Sequence, residues 1–499
     1  MKSQCDVVVI GAGAGGLASA LRLAKNGKKV CVYEAMEGPG GKIGTSIFEG
    51  VEFDTGPSLL TMREHVEELF DYCGTTMEAE LELVEHEPGF RYLWTDGAKF
   101  DVYPDVERTR QDVRESFGSK ALDEFDAFLS YSKDIWEAAL PNFVEGEAPS
   151  FGSILKLGVT KLKEVSRIDP FRSMLQGIER HISEPHLRDV MMRYATYNGS
   201  NALSAPATLN CIAWVELGLG GYGIRGGMSA LPLALERVGK RLGVEFYYGH
   251  RVESIVVDSK RGVEGVKVRT PQGDTDVVRA TKVVVNADVA HLKQSLLGED
   301  VHHGMGEDLT PSMSGWTAIL KARAREDRAS HTVLFPERYR DEFEDIFERN
   351  RPPKTPTIYM CDQSKAHGRE GWDDGTVPVF VMANAPCEPR EERTQTDEYW
   401  SRYREVVTQR MREFQLMKEG EEIVWERTPT QLATQFPGSR GAIYGAASNT
   451  QTAAFKRPAN RVKSIKGLYL ASGSAHPGGG VPLCLLSGKV AAESALSDR

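Results

Sequence analysis

The chain has few of the features that mark a membrane-spanning, a disulfide-stabilised or a nucleic-acid-binding protein. No stretch approaches the roughly 18 uninterrupted apolar residues of a membrane-spanning helix. The apolar stretch 7–24 follows Asp6, contains Arg22 and is rich in glycine, unlike a secretory signal. The seven cysteines form no CxxC pair, so we expect neither a disulfide framework nor a metal site. The net charge of −10 argues against nucleic acid as a partner. These absences favour a cytoplasmic protein.

What is present describes a globular protein of more than one domain. Apolar residues make up 40% of the chain and charged residues 26%. With 499 residues the chain is too long for one hydrophobic core. Segments of α/β pattern lie at both ends and in the middle. The composition therefore predicts two domains, of which one is discontinuous.

The N-terminal segment predicts a strand, a turn, a helix and a second strand. Residues 6–10 and 29–33 are short apolar runs rich in valine, and residues 17–25 have a helical pattern. A GxGxxG sequence lies between the first strand and the helix, formed by Gly11, Ala12, Gly13, Ala14, Gly15 and Gly16. Such glycines permit a tight turn, let backbone amides approach a pyrophosphate and let helix and strand pack closely. This setting predicts a dinucleotide site, the alternative being an ordinary glycine turn.

Glu34 lies 18 residues beyond Gly16, at the end of the second predicted strand. A carboxylate at this position can accept hydrogen bonds from ribose hydroxyls. It would also repel the 2′-phosphate of NADP, so we expect a different dinucleotide.

A second glycine turn follows the acid, with Gly40, Gly41 and Lys42, and Gly56–Pro57 comes shortly after. This arrangement resembles the GG motif of FAD-containing oxidoreductases, a group that includes amine oxidases and carotenoid desaturases. The resemblance implies that these residues bind FAD. Lys42 stands where the group more often has arginine, and a lysine neutralises phosphate only as a point charge. The alternative for Lys42 is a solvated loop lysine.

The C-terminal end repeats the order of strand, glycine loop and helix over residues 467–494. Such a loop offers backbone amides and a helix dipole to the flavin side of a cofactor. It closely resembles the C-terminal FAD segment of bacterial-type carotenoid desaturases. The resemblance assigns cofactor contacts to Gly473, Ser474, Gly480, Val481 and Pro482. His476 in the same loop could act as a general base or could only shape the loop.

The resemblance to the carotenoid desaturase family, phytoene desaturase and its relatives, extends from end to end. Residues 193–199, 223–228 and 428–461 resemble further signatures of that family. The stretches Tyr-Asn-Gly-Ser and Pro-Gly-Gly-Gly-Val-Pro are more similar to the hydroxycarotenoid 3,4-desaturases. By the same resemblance, Val252 meets the adenine through its backbone, and Gly226 and Gly227 lie near the flavin ring.

The expected fold class is α/β, with a Rossmann-like, amine-oxidase-like FAD-binding domain and an inserted α+β substrate domain. The FAD-binding domain would comprise residues 1–105, 222–300 and 462–499, and the substrate domain residues 106–221 and 301–461. The apolar and basic stretch 151–174 could lie on an anionic membrane or pack on its own protein. We therefore expect peripheral association with the inner face of the membrane.

The resemblance implies desaturation of a carotenoid by hydride transfer to FAD. C-3,4 desaturation of a 1-hydroxycarotenoid is the expected reaction, with phytoene desaturation as an alternative. No catalytic base is assigned. Arg225, Tyr197 and His476 are the candidate catalytic residues, the first two near the hydroxylated end of the substrate. Arg225 could instead be a surface arginine and Tyr197 a core aromatic. Oxygen or a membrane quinone would reoxidise the flavin.

Three other functions share parts of this pattern. An amine oxidase has the same FAD domain, but the aromatic residues that flank its flavin and its lysine near the flavin cannot be placed in this sequence. A polyene isomerase would use reduced flavin without consuming it. A polyene carrier on a relic flavoprotein fold would not need the intact phosphate loops.

Overall fold

The computed structural model describes residues 5–148, 167–298, 300–307, 309–388 and 396–498. The strands are β1 Val7–Ile10, β2 Val30–Tyr33, β3 Thr45–Phe48, β4 Val51–Asp54, β5 Leu83–Val84, β6 Phe90–Leu93, β7 Lys99–Val102, β8 Gly223–Ile224, β9 Glu245–Tyr247, β10 Arg251–Val257, β11 Val263–Arg269, β12 Thr275–Arg279, β13 Lys282–Val285, β14 Ser314–Arg323, β15 His331–Leu334, β16 Ile358–Asp362, β17 Thr376–Ala385, β18 Glu422–Arg427 and β19 Leu468–Leu470.

The helices are α1 Ala14–Lys25, α2 Glu64–Cys73, α3 Met77–Glu80, α4 Val106–Phe117, α5 Ser119–Ala139, α6 Met174–His181, α7 Pro185–Arg193, α8 Cys211–Leu217, α9 Ala230–Arg241, α10 Val289–His291, α11 Tyr339–Phe347, α12 Gln363–His367, α13 Asp397–Glu413, α14 Pro429–Gln435, α15 Ala453–Lys456 and α16 Val481–Ser497. Short 3-10 or π turns occupy Leu140–Val144, Tyr194–Asn198, Ala207–Asn210 and Leu292–Leu296.

A parallel sheet of five strands, in the order β19-β13-β1-β2-β9, has β1 at its centre. All residues of β1, β2 and β19 are buried, as expected of parallel strands covered on both faces. Helices α1 and α16 cover one face. The antiparallel sheet β10-β11-β12 shares a core with the other face. The prediction of a Rossmann-like α/β domain is confirmed, and its strands come from distant parts of the chain.

A second sheet has seven strands in the order β18-β14-β17-β16-β15-β6-β7. Its strands pair antiparallel except for β15 with β6, and the long strands β14 and β17 pair over ten residues. Helix α13 covers it with the buried rings of Trp400 and Tyr403. The topology puts β6 and β7 in this sheet, whereas the division expected from the sequence assigns residues up to 105 to the FAD-binding domain. The chain therefore first passes from the parallel sheet to the second sheet before residue 90, where β6 begins.

The helices α4 to α8 form a layer beside the second sheet. Ile135, Trp136 and Val215 of this layer share an apolar cluster with Leu486 of α16. The layer thus reaches the helix that follows the C-terminal glycine loop. Most of the stretch 151–174, expected to contact a membrane, lies outside the described residues. In the part of the chain that is described, no helix is long and apolar enough to cross a membrane.

Candidate cofactor site

Three glycine-containing turns meet at the carboxyl edge of the parallel sheet. The first turn contacts the second through the amide of Gly40, which donates to the carbonyl of Ala12 at 2.9 Å. It also contacts the end of β19, since a Cβ on Gly15 would lie 2.3 Å from the Ala471 carbonyl oxygen. The predicted segments near residues 11–16, 40–42 and 471–482 therefore lie together. Only backbone without side chains fits at these contacts.

Glu34 lies at the end of β2, directly beside the first glycine turn. Its carboxylate accepts hydrogen bonds from the amides of Ala12 at 2.7 Å and Met36 at 2.8 Å. The side chain is almost fully buried. A carboxylate held beside a glycine turn of this kind has the position needed to contact the ribose of a dinucleotide.

Asn286 joins the same edge and was missed by the sequence analysis. Its Nδ2 donates to the carbonyl of Ala471, and a Cβ on Gly13 would lie 2.5 Å from its Oδ1. The side chain thereby connects the ends of β1, β13 and β19. A polar residue directly after a buried parallel strand was the available signal, because ligands bind at this edge of open α/β sheets.

The helices α1 and α16 both begin at this edge without a side-chain cap. Their N-cap residues are Gly13 and Gly480. Gly480 has a φ of +116°, and a Cβ there would meet no atom within 4 Å. Uncapped N-termini present free amides and a positive dipole end to an anion. Gly480, Val481 and Pro482 therefore start the helix where the sequence predicts a cofactor contact.

Three half-buried cations, Lys42, Arg427 and Arg457, lie close to these helix starts. The Lys42 ammonium donates to the carbonyls of Ala442 at 2.7 Å and Ile443 at 3.1 Å, and burial lowers its pKa. Arg427 donates to the carbonyl of Thr55, and Arg457 stacks on Gly478; burial lowers the pKa of each guanidinium to about 10. The Nε of Arg457 has no described hydrogen-bond partner.

This set of donors fits FAD. Half-buried cations hydrogen-bonded to neutral carbonyls, together with two uncapped helix starts, favour a bound anion such as a pyrophosphate. Lys42 is half-buried and its ammonium binds two carbonyls, which favours the cofactor role over that of a solvated loop lysine. Arg427 and Arg457 were missed as single residues, because arginines in a loop carry no local signal of burial.

The turn at Gly56–Pro57 packs directly on the second glycine turn. A Cβ on Gly56 would lie 2.2 Å from the carbonyl oxygen of Lys42. The preceding carboxylate of Asp54 accepts hydrogen bonds from the amide of Met228 at 2.9 Å and from Arg369 at 2.9 Å. This clamp, which the sequence analysis missed, holds Gly226–Gly227 beside the Gly56 turn.

The C-terminal glycine loop is held by polar side chains. Ser474 Oγ accepts a hydrogen bond from the amide of Val289 at 2.9 Å. Asn460 Nδ2 donates to the carbonyls of Leu470 at 3.0 Å and His476 at 2.9 Å. A Cβ on Gly473 would lie 3.2 Å from the Cα of Gly479, so the loop folds back on itself.

His476 is buried within this loop, with 2% of its surface exposed. Burial lowers the pKa of its imidazole to about 4, and the charge of Arg457 acts in the same direction. The imidazole is therefore neutral at neutral pH and is a weak base. This environment supports the loop-shaping role over the general-base role.

The other candidates lie apart from the glycine turns. Arg225 is exposed and pairs with Glu82, with 3.1 Å between Nη2 and Oε1. Tyr197 is half-buried, and its hydroxyl bonds to Glu216 and to Arg193. The described contacts of Arg225 do not include Tyr197. Val252 is buried on β10, an edge strand whose backbone is paired on one side only with β11.

A family of known proteins shares this architecture. Residues 14–496 match the family described as flavin containing amine oxidoreductase. The chain belongs to this family, and it is an FAD-dependent oxidoreductase. An oxidoreductase from Methanosarcina mazei, 18% identical, superposes with a TM-score of 0.62 over 98% of this chain and 99% of that one. At this identity the similarity supports the fold alone.

Within the family, the chain belongs with the carotenoid desaturases. The hydroxyneurosporene desaturase of Rubrivivax gelatinosus is 33% identical, covering 98% of this chain and 93% of that protein. The 1-hydroxycarotenoid 3,4-desaturase of a Flavobacterium species is 32% identical, covering 97% and 98%. The 4,4'-diapolycopene oxygenase of a Methylomonas species is 30% identical, covering 99% and 98%. The resemblance found in the sequence is confirmed.

Proposed function

We propose that the enzyme introduces a carbon–carbon double bond into a carotenoid, at C-3,4 of a 1-hydroxylated substrate. The observation that carries this proposal is the similarity to desaturases named for hydroxylated substrates, which covers nearly the whole of each chain. Because the similarity includes the substrate domain, it concerns the substrate as well as the cofactor.

The cofactor is held by the residues described above. FAD, when bound, supplies the hydride acceptor, a chemistry that no side chain offers. Lys42 and the N-terminus of α1 would hold its phosphates, Glu34 would hold its adenosine ribose, and the N-terminus of α16 would face the flavin side. Gly226, Gly227 and the loop from Gly473 would border the flavin.

An apolar surface adjoins the helix start at the flavin end. Leu483 in the first turn of α16 packs on the same apolar cluster as Trp214, Leu219 and Phe143. Such a surface excludes water and suits a polyene chain. We propose that the substrate passes along it, with the target bond facing the flavin.

The second hydrogen leaves as a proton. Positive charge that develops on a polyene is delocalised along its double bonds, so the reaction does not depend on one strong base. We propose that His476, with its pKa near 4, shapes the loop and that the proton passes to water or to a weak acceptor.

The test is anaerobic mixing of the FAD-loaded enzyme with a 1-hydroxylated carotenoid. We expect the flavin absorption to bleach and the product to be lighter by two hydrogens. Protein freed of FAD is the control and should leave the substrate unchanged. Bleaching by an amine, or an unchanged product mass, would contradict desaturation.

A second candidate is insertion of oxygen, favoured by the similarity to the diapolycopene oxygenase. The same product analysis separates the two reactions, because oxygenation increases the mass. Reoxidation by oxygen or by a quinone is part of our proposal, as is peripheral membrane contact. Mixing the reduced enzyme with each acceptor, with and without anionic vesicles, tests both points.

A further inference from the structure

Arg193 is a buried arginine at the end of α7. Only 7% of the residue is exposed. Its guanidinium carbon lies close to the centroids of four aromatic rings, at 4.8 Å for Phe90, 5.2 Å for Tyr197, 5.7 Å for Tyr92 and 5.8 Å for Tyr359. Aromatic faces attract a cation most strongly where water is excluded. These four rings, the aromatic cage, hold a positive charge in the interior of the substrate domain.

Hydrogen bonds within the aromatic cage satisfy only part of the guanidinium. Nη1 of Arg193 donates to the hydroxyls of Tyr92 at 3.2 Å and Tyr197 at 3.3 Å. No described residue accepts a hydrogen bond from its Nε or Nη2. These two nitrogens are not among the fully buried atoms without a partner, so they retain accessible surface that a ligand atom can contact. Donors of this kind in a substrate domain point to an oxygen atom of a ligand.

Glu216 on α8 supplies a negative charge one hydroxyl away. Its Oε1 accepts a hydrogen bond from the Tyr194 hydroxyl at 2.8 Å, and its Oε2 accepts one from the Tyr197 hydroxyl. Burial raises the pKa of this carboxyl, and Arg193 and the two hydroxyls oppose that effect. Tyr197 therefore connects the guanidinium to the carboxylate. The pair has no net charge and combines donors with acceptors, which suits a neutral hydroxyl better than an anion or an amine.

The aromatic cage lies near two loops of the cofactor site, the turn at Gly56–Pro57 and the C-terminal glycine loop. Tyr359 shares a hydrogen bond with Ser58, the residue after Pro57. On another side, a Cβ on Gly199 would lie 3.0 Å from the Tyr444 ring, and a Cβ on Gly479 would lie 2.3 Å from the Tyr444 carbonyl oxygen. Tyr359 therefore links Arg193 to the turn at Ser58. Tyr444 links the segment around Gly199 to the C-terminal glycine loop. A group bound at Arg193 would belong to the same substrate that meets the flavin.

We propose that Arg193, Tyr197 and Glu216 form a subsite for the hydroxyl group of the substrate. The free N–H groups of Arg193 donate to the hydroxyl oxygen, and oxygens of Tyr197 or Glu216 accept its hydrogen. The subsite sets the register of the polyene and thereby which carbon–carbon bond faces the flavin. This inference rests on the proposed function, because it takes a hydroxylated polyene as the substrate.

The test compares two polyenes that differ only in the 1-hydroxyl group. Their dissociation constants from the FAD-loaded enzyme are measured by quenching of tryptophan fluorescence. We expect the native enzyme to bind the hydroxylated polyene about ten-fold or more tightly, as for hydrogen bonds to a charged group. In Tyr197→Phe this preference should fall several-fold, because the link between guanidinium and carboxylate is lost.

A double variant guards against misfolding. Arg193→Met with Glu216→Gln removes both charges together, so no uncompensated charge stays buried. We expect this variant to retain bound FAD and to lose the preference for the hydroxylated polyene. Tyr339→Phe is the matched control: Tyr339 is buried in the same core, and its hydroxyl has no described partner. Its preference should equal that of the native enzyme.

The experiment distinguishes failure of the proposed function from failure of the subsite. If the native enzyme forms no double bond in the hydroxylated polyene, the proposed function fails. If it does form one, but Tyr197→Phe and the double variant keep the native preference, the subsite is overturned. The subsite would also be overturned if the native enzyme bound the two polyenes with equal dissociation constants.

Discussion

At the residue scale, Glu34 connects the end of β2 to the first glycine turn through two backbone amides. Glu34→Gln should weaken FAD binding about ten-fold, because a charge-assisted hydrogen bond is lost and an amide group would face the amides of Ala12 and Met36. Fluorescence titration of the FAD-free protein measures this change. Glu37→Gln, at an exposed position three residues further on, is the control. Equal affinities of the two variants would contradict the assignment of Glu34.

The residues that the sequence predicts at this site are those with a local pattern. GxGxxG, the acid after β2 and the C-terminal glycine loop each lie within one short segment. Asp54 with Arg369, and Arg193 with Glu216, are pairs between distant segments. No spacing along the chain indicates such pairs, because burial and partner are set only by the fold. Arg225 shows that a local pattern can also mislead. It lies in the segment 223–228, which resembles a family signature, yet its side chain is exposed.

At the element scale, α1 and α16 approach each other at a point where both lack side chains. A Cβ on Gly488 would lie 2.4 Å from the Gly15 carbonyl oxygen and 2.8 Å from the Ala18 Cβ. Gly488→Ala should force the helices apart and destabilise the protein by about 1–3 kcal/mol. It should also lower the FAD content, because α1 carries the first glycine turn. Denaturant unfolding measures the first effect and flavin absorption the second.

The control for this helix pair is Glu493→Ala, at an exposed position of α16. Its stability should stay near that of the native protein. If Gly488→Ala unfolds at the same denaturant concentration as the control, the close approach of the helices is not required.

Helix α7 is joined to the β6–β7 hairpin by a carboxylate with a perturbed pKa. Trp94 Nε1 donates to Asp189 Oδ2 at 3.0 Å, and burial raises the pKa of Asp189 to about 7. An unfolded aspartate has a pKa of about 3.9. Between about pH 4 and pH 7 the folded protein therefore binds a proton at Asp189 that the unfolded chain does not. The stability that comes from this proton is fully present below about pH 4 and is lost as the pH rises through about 7.

Asp189→Asn keeps the acceptor and removes the titration. Between pH 5 and 8 the native protein should lose about 1–3 kcal/mol more stability than this variant. Chemical unfolding across that pH range measures the difference. Asp123→Asn, at an exposed position on α5, should follow the native curve. Parallel curves for Asp189→Asn and the native protein would contradict the raised pKa.

Elements were predictable where periodicity is strong. The buried valine runs gave strands within one or two residues of β1 and β2, because parallel strands need apolar side chains on both faces. The hairpin β6–β7 is different. The sequence pattern of the hairpin would suit a strand of either sheet. Only the pairing of β6 with β15 assigns the hairpin to the second sheet.

At the scale of the whole molecule, the strands of the parallel sheet are separated along the chain by the strands of the seven-stranded sheet. Strand β13 pairs with β1 on one side and with β19 on the other. More than half of the chain lies between β1 and β19. The discontinuity was predictable because each segment has its own α/β pattern. The contact between the helical layer and α16 was not predictable from the sequence, because an apolar helix face does not specify which element it packs against.

Because one FAD would contact turns from distant parts of the chain, its binding should stabilise the whole protein and not one segment. Removal of FAD should lower the melting temperature by a few degrees, and FAD at about 100 times its dissociation constant should restore about 2.7 kcal/mol. FMN lacks the adenosine end that Glu34 would contact, so it should restore less. Differential scanning calorimetry of the FAD-free protein with each nucleotide measures both effects. Equal stabilisation by FMN and FAD would mean that the turn at residues 11–16 does not hold the adenosine half, and an unchanged melting temperature with FAD would contradict the convergence of the three turns on one cofactor.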